Sequence, residues 1–276
     1  MKIKYIDLFC GIGSFHYSFN KIKNMECVFA CDINENARKT YFENYNFNPE
    51  GDINSIDIKK IPKFNLLTAG FPCQSFSVAG NHKGLNDARG QLFNHIINII
   101  EYHKPEAIIL ENVPALLTND KGNTFLYIKN KLETQGYNLS YKVLNCNDYG
   151  IPKMRKRLFI ICSLNKIPDD FFMFDEFKKN IKLCDYLNID IEKPISYTIR
   201  CGGRRSPIND KHNWDGYLLK NGNEYRLTLN DCLKLQGFYD FKLIGSDSEK
   251  WKMVGNTIPT IFTYIIGINV EKLLTK

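Results

Sequence analysis

Residues 64–77, Phe64-Asn-Leu-Leu-Thr-Ala-Gly-Phe-Pro-Cys-Gln-Ser-Phe-Ser77, constrain the fold more than any other stretch of the chain. An apolar run carrying Phe64, Leu66 and Leu67 has the length of a buried strand, and it stops at Gly70 with Pro72-Cys73 directly behind it. The pattern predicts a parallel strand of an open α/β sheet, whose carboxyl end is where such sheets bind their ligands. Pro72 fixes φ and removes a backbone donor, so the Cys73 thiol sits on a stiff loop. A lone cysteine is ordinarily a small apolar core residue. The Gly-Phe-Pro-Cys-Gln-Ser-Phe-Ser frame is not that of a core cysteine, and Cys73 reads as a nucleophile.

The chain opens with a second strand-then-loop unit. Residues 3–9 predict a strand, and Cys10-Gly-Ile-Gly-Ser-Phe15 leads from it into a helix over about 14–23. Glycines at such a turn let backbone approach a ligand, and the helix N-terminus favours negative charge. A strand over 26–31 then ends in Asp32, at the distance where an acid meets ribose hydroxyls; capping a helix over 34–45 is its alternative role. Gly51-Asp52-Ile53 precedes the third strand and offers a second carboxylate to the adenine side of a nucleoside.

Beyond Cys73, residues 78–90 are polar and carry three glycines with Lys83 and Arg89, the pattern of a mobile lid or of a plain surface loop. A helix over 91–102 and a buried strand over 106–110 lead to Glu111-Asn112-Val113, where Glu111 is a candidate acid, a helix cap or an ion-pair partner. A helix over 123–135, a strand over 137–146 and a turn at 147–150 follow. Arg155 and Arg157, two apart at the start of a strand over 158–162, point the same way and can face one polyanionic groove or form a solvated edge. Residues 193–226 hold seven Lys or Arg against three acids, so more than half of the net charge of +7 lies in this stretch. Its Arg200, Arg204, Arg205 and Lys211, interleaved with glycine, aromatic and amide side chains, suit phosphates and base edges better than a core. Thr228 predicts the cap of a short helix to 236, and Gly255-Asn-Thr-Ile-Pro259 an apolar helix to about 272 that returns to the sheet.

Nine cysteines scattered through apolar runs, an odd number without a secreted rhythm, predict reduced thiols and a cytoplasmic protein. No signal-peptide pattern and no bilayer-length apolar run occurs, and Cys27 and Cys31 have no partners at metal-site spacing. We expect no metal and no membrane. A composition of 43% apolar and 24% charged residues excludes a disordered or fibrous chain.

Taken in order, these stretches resemble the DNA (cytosine-5)-methyltransferase family. Asp7-Leu-Phe-Cys-Gly-Ile-Gly-Ser-Phe15 resembles its S-adenosylmethionine turn, Gly70–Ser77 its nucleophile loop, and Glu111-Asn-Val113 its acid motif. Arg155-x-Arg157, Arg226-Leu-Thr through Leu235-Gln-Gly-Phe238, and Gly255-Asn-Thr257 resemble the remaining three. The resemblance implies a Rossmann-like class I methyltransferase sheet with a small, mostly irregular or β target-recognition domain. Residues 1–184, completed by 252–276, are expected to form the catalytic part, and 185–251 the recognition part and hinge. It further implies a cofactor pocket of Phe9, Gly11, Gly13, Phe15, Asp32, Ile33, Asp52, Ile53, Pro72, Leu92 and Asn256. Cys73 would be the nucleophile, Glu111 the group at cytosine N3, Arg157 a contact to O2, and Arg155 a support. Ser77, Lys83 and Arg89 join the basic segment as expected DNA contacts. The implied cofactor is S-adenosyl-L-methionine, leaving as S-adenosyl-L-homocysteine. The implied partners are double-stranded DNA and a cognate restriction endonuclease, and the implied state is a monomer.

Two features depart from the family pattern: Lys153 stands where the family has Gln, and the segment between Arg157 and Arg226 is short. A tRNA-directed relative shares the catalytic motifs, a DNA-binding homologue without activity would lack Cys73, Glu111 or the arginines, and a nicotinamide enzyme leaves Gly-Phe-Pro-Cys unexplained.

Overall fold

In the computed structural model, which describes residues 2–72, 90–174 and 181–275, the apolar runs pair into one six-stranded sheet. Its strands are β1 (Ile3–Leu8), β2 (Met25–Cys31), β3 (Leu66–Gly70), β4 (Ala107–Asn112), β5 (Asn138–Asn145) and β6 (Lys156–Ser163), in the order β2-β1-β3-β4-β6-β5. The first four are mutually parallel, and β6 runs against both β4 and β5. Strand β4 is buried along its whole length, as a central strand covered on both faces must be, whereas the edge strand β5 is half-exposed. Alternate residues of β4 feed two apolar clusters on opposite faces. Ala107 and Ile109 join Phe15, Phe19, Phe159 and Phe262, while Ile108 and Leu110 join Leu67, Phe93 and Ile160. Each such buried Ile or Leu contributes roughly 1.5–3 kcal/mol relative to exposure.

Helices α1 (Ser14–Phe19), α2 (Glu35–Tyr45), α3 (Gly90–His103) and α4 (Asn123–Glu133) lie between the strands. The C-terminal part adds α5 (Leu183–Leu187), a hairpin of β7 (Gly216–Leu218) and β8 (Glu224–Arg226), then α6 (Leu229–Gln236), α7 (Asp247–Asn256) and α8 (Thr260–Thr275). As expected, Thr228 caps α6, in a capping box with Asp231. Helix α8 does return to the sheet: a Cβ on Gly267 would lie 2.5 Å from the Phe19 ring, so glycine permits the close approach to α1.

The expected single helix from 255 is corrected. Gly255 and Asn256 instead close α7, Thr257 is extended, and α8 starts after Pro259, which cannot continue a helix. Ser246 and Glu249 form the capping box that starts α7. Buried side chains of the later segment, among them Leu187, Ile191, Trp214, Tyr217 and Phe238, belong to the same apolar cluster as Ile3, Phe15 and Phe262. Among the described residues no single helix is long and apolar enough to cross a bilayer.

Candidate active site

A cleft of about 520 Å³ opens at the carboxyl ends of β1, β2, β3 and β4. Phe9, Gly11 and Phe15 enter it after β1, Asp32 and Ile33 after β2, Phe71 and Pro72 after β3, and Glu111 to Val113 at the end of β4. Arg157 comes from β6, and Lys252, Met253, Gly255, Asn256 and Thr257 form the facing wall. Cys73, Ser77, Lys83, Arg89 and the expected lid lie outside the described residues. The segment leading into Cys73 is nonetheless tied down, because Asn112 Nδ2 donates to the Phe71 carbonyl at 2.9 Å.

Strand register explains the acid–arginine pair. Glu111 sits opposite Phe159, and Arg157, two residues earlier on β6, shares that face. Arg157 Nε lies 2.8 Å from Glu111 Oε1 with both side chains largely buried, although Oε1 has no well-aligned hydrogen-bond donor. Burial pushes the Glu111 carboxyl up, and the Arg157 and Arg155 charges only partly oppose it. A carboxyl in that state can hold a proton and donate it. A Cβ on Gly70 would come within 3.4 Å of Glu111 Oε2 and 3.2 Å of Ile258 Cδ1, so glycine keeps the space before the carboxyl open.

The two arginines do not face one groove. Arg155 precedes β6, is fully buried, and donates to the carbonyls of Ile199, Gly255 and Thr257 at 3.1, 3.0 and 2.8 Å. It supports the wall that carries Asn256 and does not line the cleft. Lys153 is likewise fully buried; its Nζ donates to the Leu235 carbonyl at 2.6 Å and to Gln236 Oε1. Gln236 Nε2 in turn donates to the Val254 carbonyl at 2.6 Å. Lys153, Arg155 and Gln236 therefore brace residues 254–257 together.

The glycine turn has two differently employed glycines. Phe9, Gly11 and Gly13 all have left-handed φ, at 56°, 54° and 85°. A Cβ on Gly11 would meet nothing within 4 Å, and Gly11 lines the cleft. At Gly13 it would lie 2.4 Å from the Tyr45 ring and 2.8 Å from Tyr41. Gly13 thus admits aromatic rings beneath the turn and does not face the cleft, contrary to the expectation of ligand approach at both glycines. Tyr45 Oη donates to the carbonyls of Ile12 and Gly13 at 3.1 and 2.9 Å. His16 stacks on Tyr45 with ring centroids 4.3 Å apart. Burial pulls His16 down to about 4, so the brace is neutral.

Asp32 accepts from Gly11 N–H and Asn34 N–H, both at 2.8 Å, joining the turn to the end of β2. Its alternative role as helix cap falls to Asn34, whose side chain accepts from Ala37 N–H at 3.0 Å. Ile33 beside it is 73% exposed, an apolar face presented to the cleft. Asp52, Ile53 and Leu92 do not line this cleft. Asp52 caps a 3₁₀ turn through Oδ1 and borders a neighbouring concavity, Ile53 is buried in the core, and Leu92 packs against that core.

The clearest omission of the sequence reading is Asp7. It is 1% exposed and lines the cleft; Oδ1 accepts from Thr68 Oγ1 at 2.8 Å, while Oδ2 has no hydrogen-bond partner. Burial raises its pKa to about 8. A carboxylate between the apolar Ile6 and Leu8 near the end of β1 is the available signal. Of the basic segment, Arg200, Arg205 and Lys211 are exposed, whereas Arg204 is half-buried with its guanidinium 3.6 Å over the Trp251 ring. Cys201 Sγ donates to Asn256 Oδ1 at 2.8 Å, bringing that segment to the wall of the cleft.

Residues 3–195 match the family model described as C-5 cytosine-specific DNA methylase. The chain is 31% identical over 313 residues to the type II methyltransferase M.HhaI of Haemophilus parahaemolyticus, covering 99% of this chain and 95% of the relative. To M.HaeII of Haemophilus aegyptius it is 35% identical over 304 residues, covering 98% and 93%. Among solved structures, the Entamoeba histolytica methyltransferase EhMeth superposes with a TM-score of 0.80 at 21% identity, over 100% of both chains. The S. pombe Dnmt2 methyltransferase does so with a TM-score of 0.79 at 24% identity, over 99% of both. These two share the fold.

Proposed function

Because the chain belongs to the C-5 cytosine-specific DNA methylase family, we propose that it methylates C5 of a cytosine turned out of a DNA duplex at one short sequence, using S-adenosylmethionine. One observation carries this reading: the Glu111–Arg157 pair and the glycine turn open into the same cleft, which is also lined by Pro72, the residue before Cys73 in the sequence.

The cleft also fits the cofactor. Asp7 lines the cleft with Oδ2 buried and unpartnered, so a cationic ligand there would hold its carboxyl in the ionised form, and the open space at Gly11 leaves room for one. S-adenosylmethionine, when bound, supplies an electrophilic methyl group. Phe9, Gly11, Phe15 and Pro72 would enclose it, Asp32 would accept from its ribose, and Ile33 would cover the purine.

Cys73 adds to C6, moving an electron pair to C5, a position otherwise too electron-poor for alkylation. Glu111 holds a proton at the N3 edge while negative charge develops on the ring, and Arg157 contacts O2. Once C5 carries the methyl group, loss of its proton re-forms the double bond and expels the Cys73 thiolate. A stacked base exposes neither face, so the cytosine must be flipped out. The type II names of the relatives support a place in a restriction-modification pair. We read the chain as the modifying partner of an endonuclease with the same target, acting as a cytoplasmic monomer.

Bisulfite sequencing of DNA from cells expressing the chain tests the reading. Methylcytosine at one recurrent motif is expected, and unmethylated DNA overturns it. In purified enzyme, Glu111→Gln should lower kcat by ~10²-fold or more, with cofactor affinity little changed.

A further inference from the structure

The structure divides the seven cations of residues 193–226 into two groups. Four are engaged. Lys193 Nζ lies 4.2 Å from the Tyr197 ring centroid, Arg204 stacks over Trp251, Lys220 pairs with Asp190 at 2.5 Å, and Arg226 with Asp215 at 3.2 Å. Arg200, Arg205 and Lys211 are exposed, and their side chains have no recorded partner among the described residues.

Arg205 differs from the other two in its backbone. Its φ is 63°, a left-handed conformation that glycine or asparagine adopts at far lower cost than arginine. Left-handed φ alone would say little, since Lys121 shares it. What sets Arg205 apart is a buried group that enforces the conformation. Its N–H donates to both oxygens of the Asp215 carboxylate, at 3.1 and 3.2 Å, and Asp215 is fully buried. Arg226 donates Nη1 to the same carboxylate and Nη2 to the Ser206 carbonyl at 2.9 Å. On the other side of the turn, Trp214 Nε1 donates to the Gly202 carbonyl at 2.9 Å. A backbone over-determined in this way, carrying a side chain with no internal role, is the signature of a group aimed at something outside the fold.

The turn also adjoins the cleft. A Cβ on Gly255 would lie 2.7 Å from the backbone of Arg200 and Cys201. Trp251, which holds Arg204, lies on α7 together with Lys252, Met253, Gly255 and Asn256 of the cleft wall.

We propose that Arg205 is a specificity-determining side chain that reads a guanine edge in the target duplex, and that Arg204 is a positioning residue strapping the recognition turn to α7. This rests on the methyltransferase reading above. The arginine fork matches guanine O6 and N7, and it must be free to turn into the groove. Arg204 would have to leave its ring to do so, giving up a cation–π contact.

The test is methylation of a randomised duplex library by purified wild type, Arg205→Gly, Arg205→Lys and Arg204→Ala, with thermal melting of each. Arg205→Gly preserves the left-handed turn and removes only the side chain. It should melt no lower than wild type and lose tenfold or more of its preference for guanine at one position of the motif. Arg205→Lys keeps the charge and loses the fork, so it should show the same loss. Arg204→Ala should keep the motif, melt lower and slow all sequences alike. An unchanged motif in Arg205→Gly overturns the proposal. Should that variant lose all activity, Arg205→Lys decides, and full guanine preference there overturns it. Absence of methylation by wild type on every sequence instead refutes the methyltransferase reading.

Discussion

At the scale of single residues, Lys153 shows what the sequence conveys and what it conceals. Its place before Arg155-x-Arg157 marks it as a departure from the family pattern, but nothing local announces that it is fully buried. Burial pulls its pKa down to about 7, and the nearby Arg155 and Arg157 charges act in the same direction. A lysine whose folded pKa lies below its ordinary value binds fewer protons folded than unfolded between those two values. Stability should therefore rise with pH from about 7 towards 10.5 and carry the full cost of the buried charge below 7. Lys153→Gln should remove that slope, gaining most on wild type at pH 7 and below, as read by urea unfolding at several pH values. Equal slopes in the two proteins would show that Lys153 does not titrate in this window. Glu111 and Asp32 were legible because each ends a strand beside a motif. For Arg155 the resemblance implies a support, but the groove-facing reading fails, because two-residue periodicity gives the face of a side chain but not what closes over it. In this protein it is residues 199 and 255–257, distant in sequence, that do so.

At the scale of elements, the parallel strands were readable from apolar runs ending in Gly70 and Glu111, since a strand covered on both faces has little freedom in composition. Helix α7 carried a readable signal, the Ser246–Glu249 box, that was passed over. The β7–β8 hairpin carried none, because three-residue strands are too short to show a period. The glycine turn was found from its spacing, yet its support lies underneath, in Tyr45, Tyr41 and His16. Tyr45→Phe removes the hydroxyl that bonds the Ile12 and Gly13 carbonyls and leaves the ring in place. Loss of one such bond, worth about 0.5–1.5 kcal/mol, should weaken cofactor affinity by about two- to tenfold while kcat at saturation holds. Calorimetric titration with cofactor checks this, and an unchanged affinity would separate the brace from binding. Gly13→Ala must meet the Tyr45 ring from a left-handed backbone and should destabilise by ~2 kcal/mol or more in thermal melts.

At the scale of the whole molecule, buried residues of 185–251, the stretch proposed to read DNA, share one apolar cluster with those of the sheet, and the wall at 254–257 is held from both sides. The central proposal is covalent attack by Cys73 on cytosine C6. The direct measurement is the intact mass, after denaturation, of enzyme mixed with S-adenosylmethionine and a duplex bearing 5-fluorocytosine at the methylated position. Fluorine blocks the final elimination, so a stable adduct of one protein with one DNA strand is expected, absent from Cys73→Ser. A duplex that is methylated when unfluorinated, yet yields no adduct with the wild type, would contradict it.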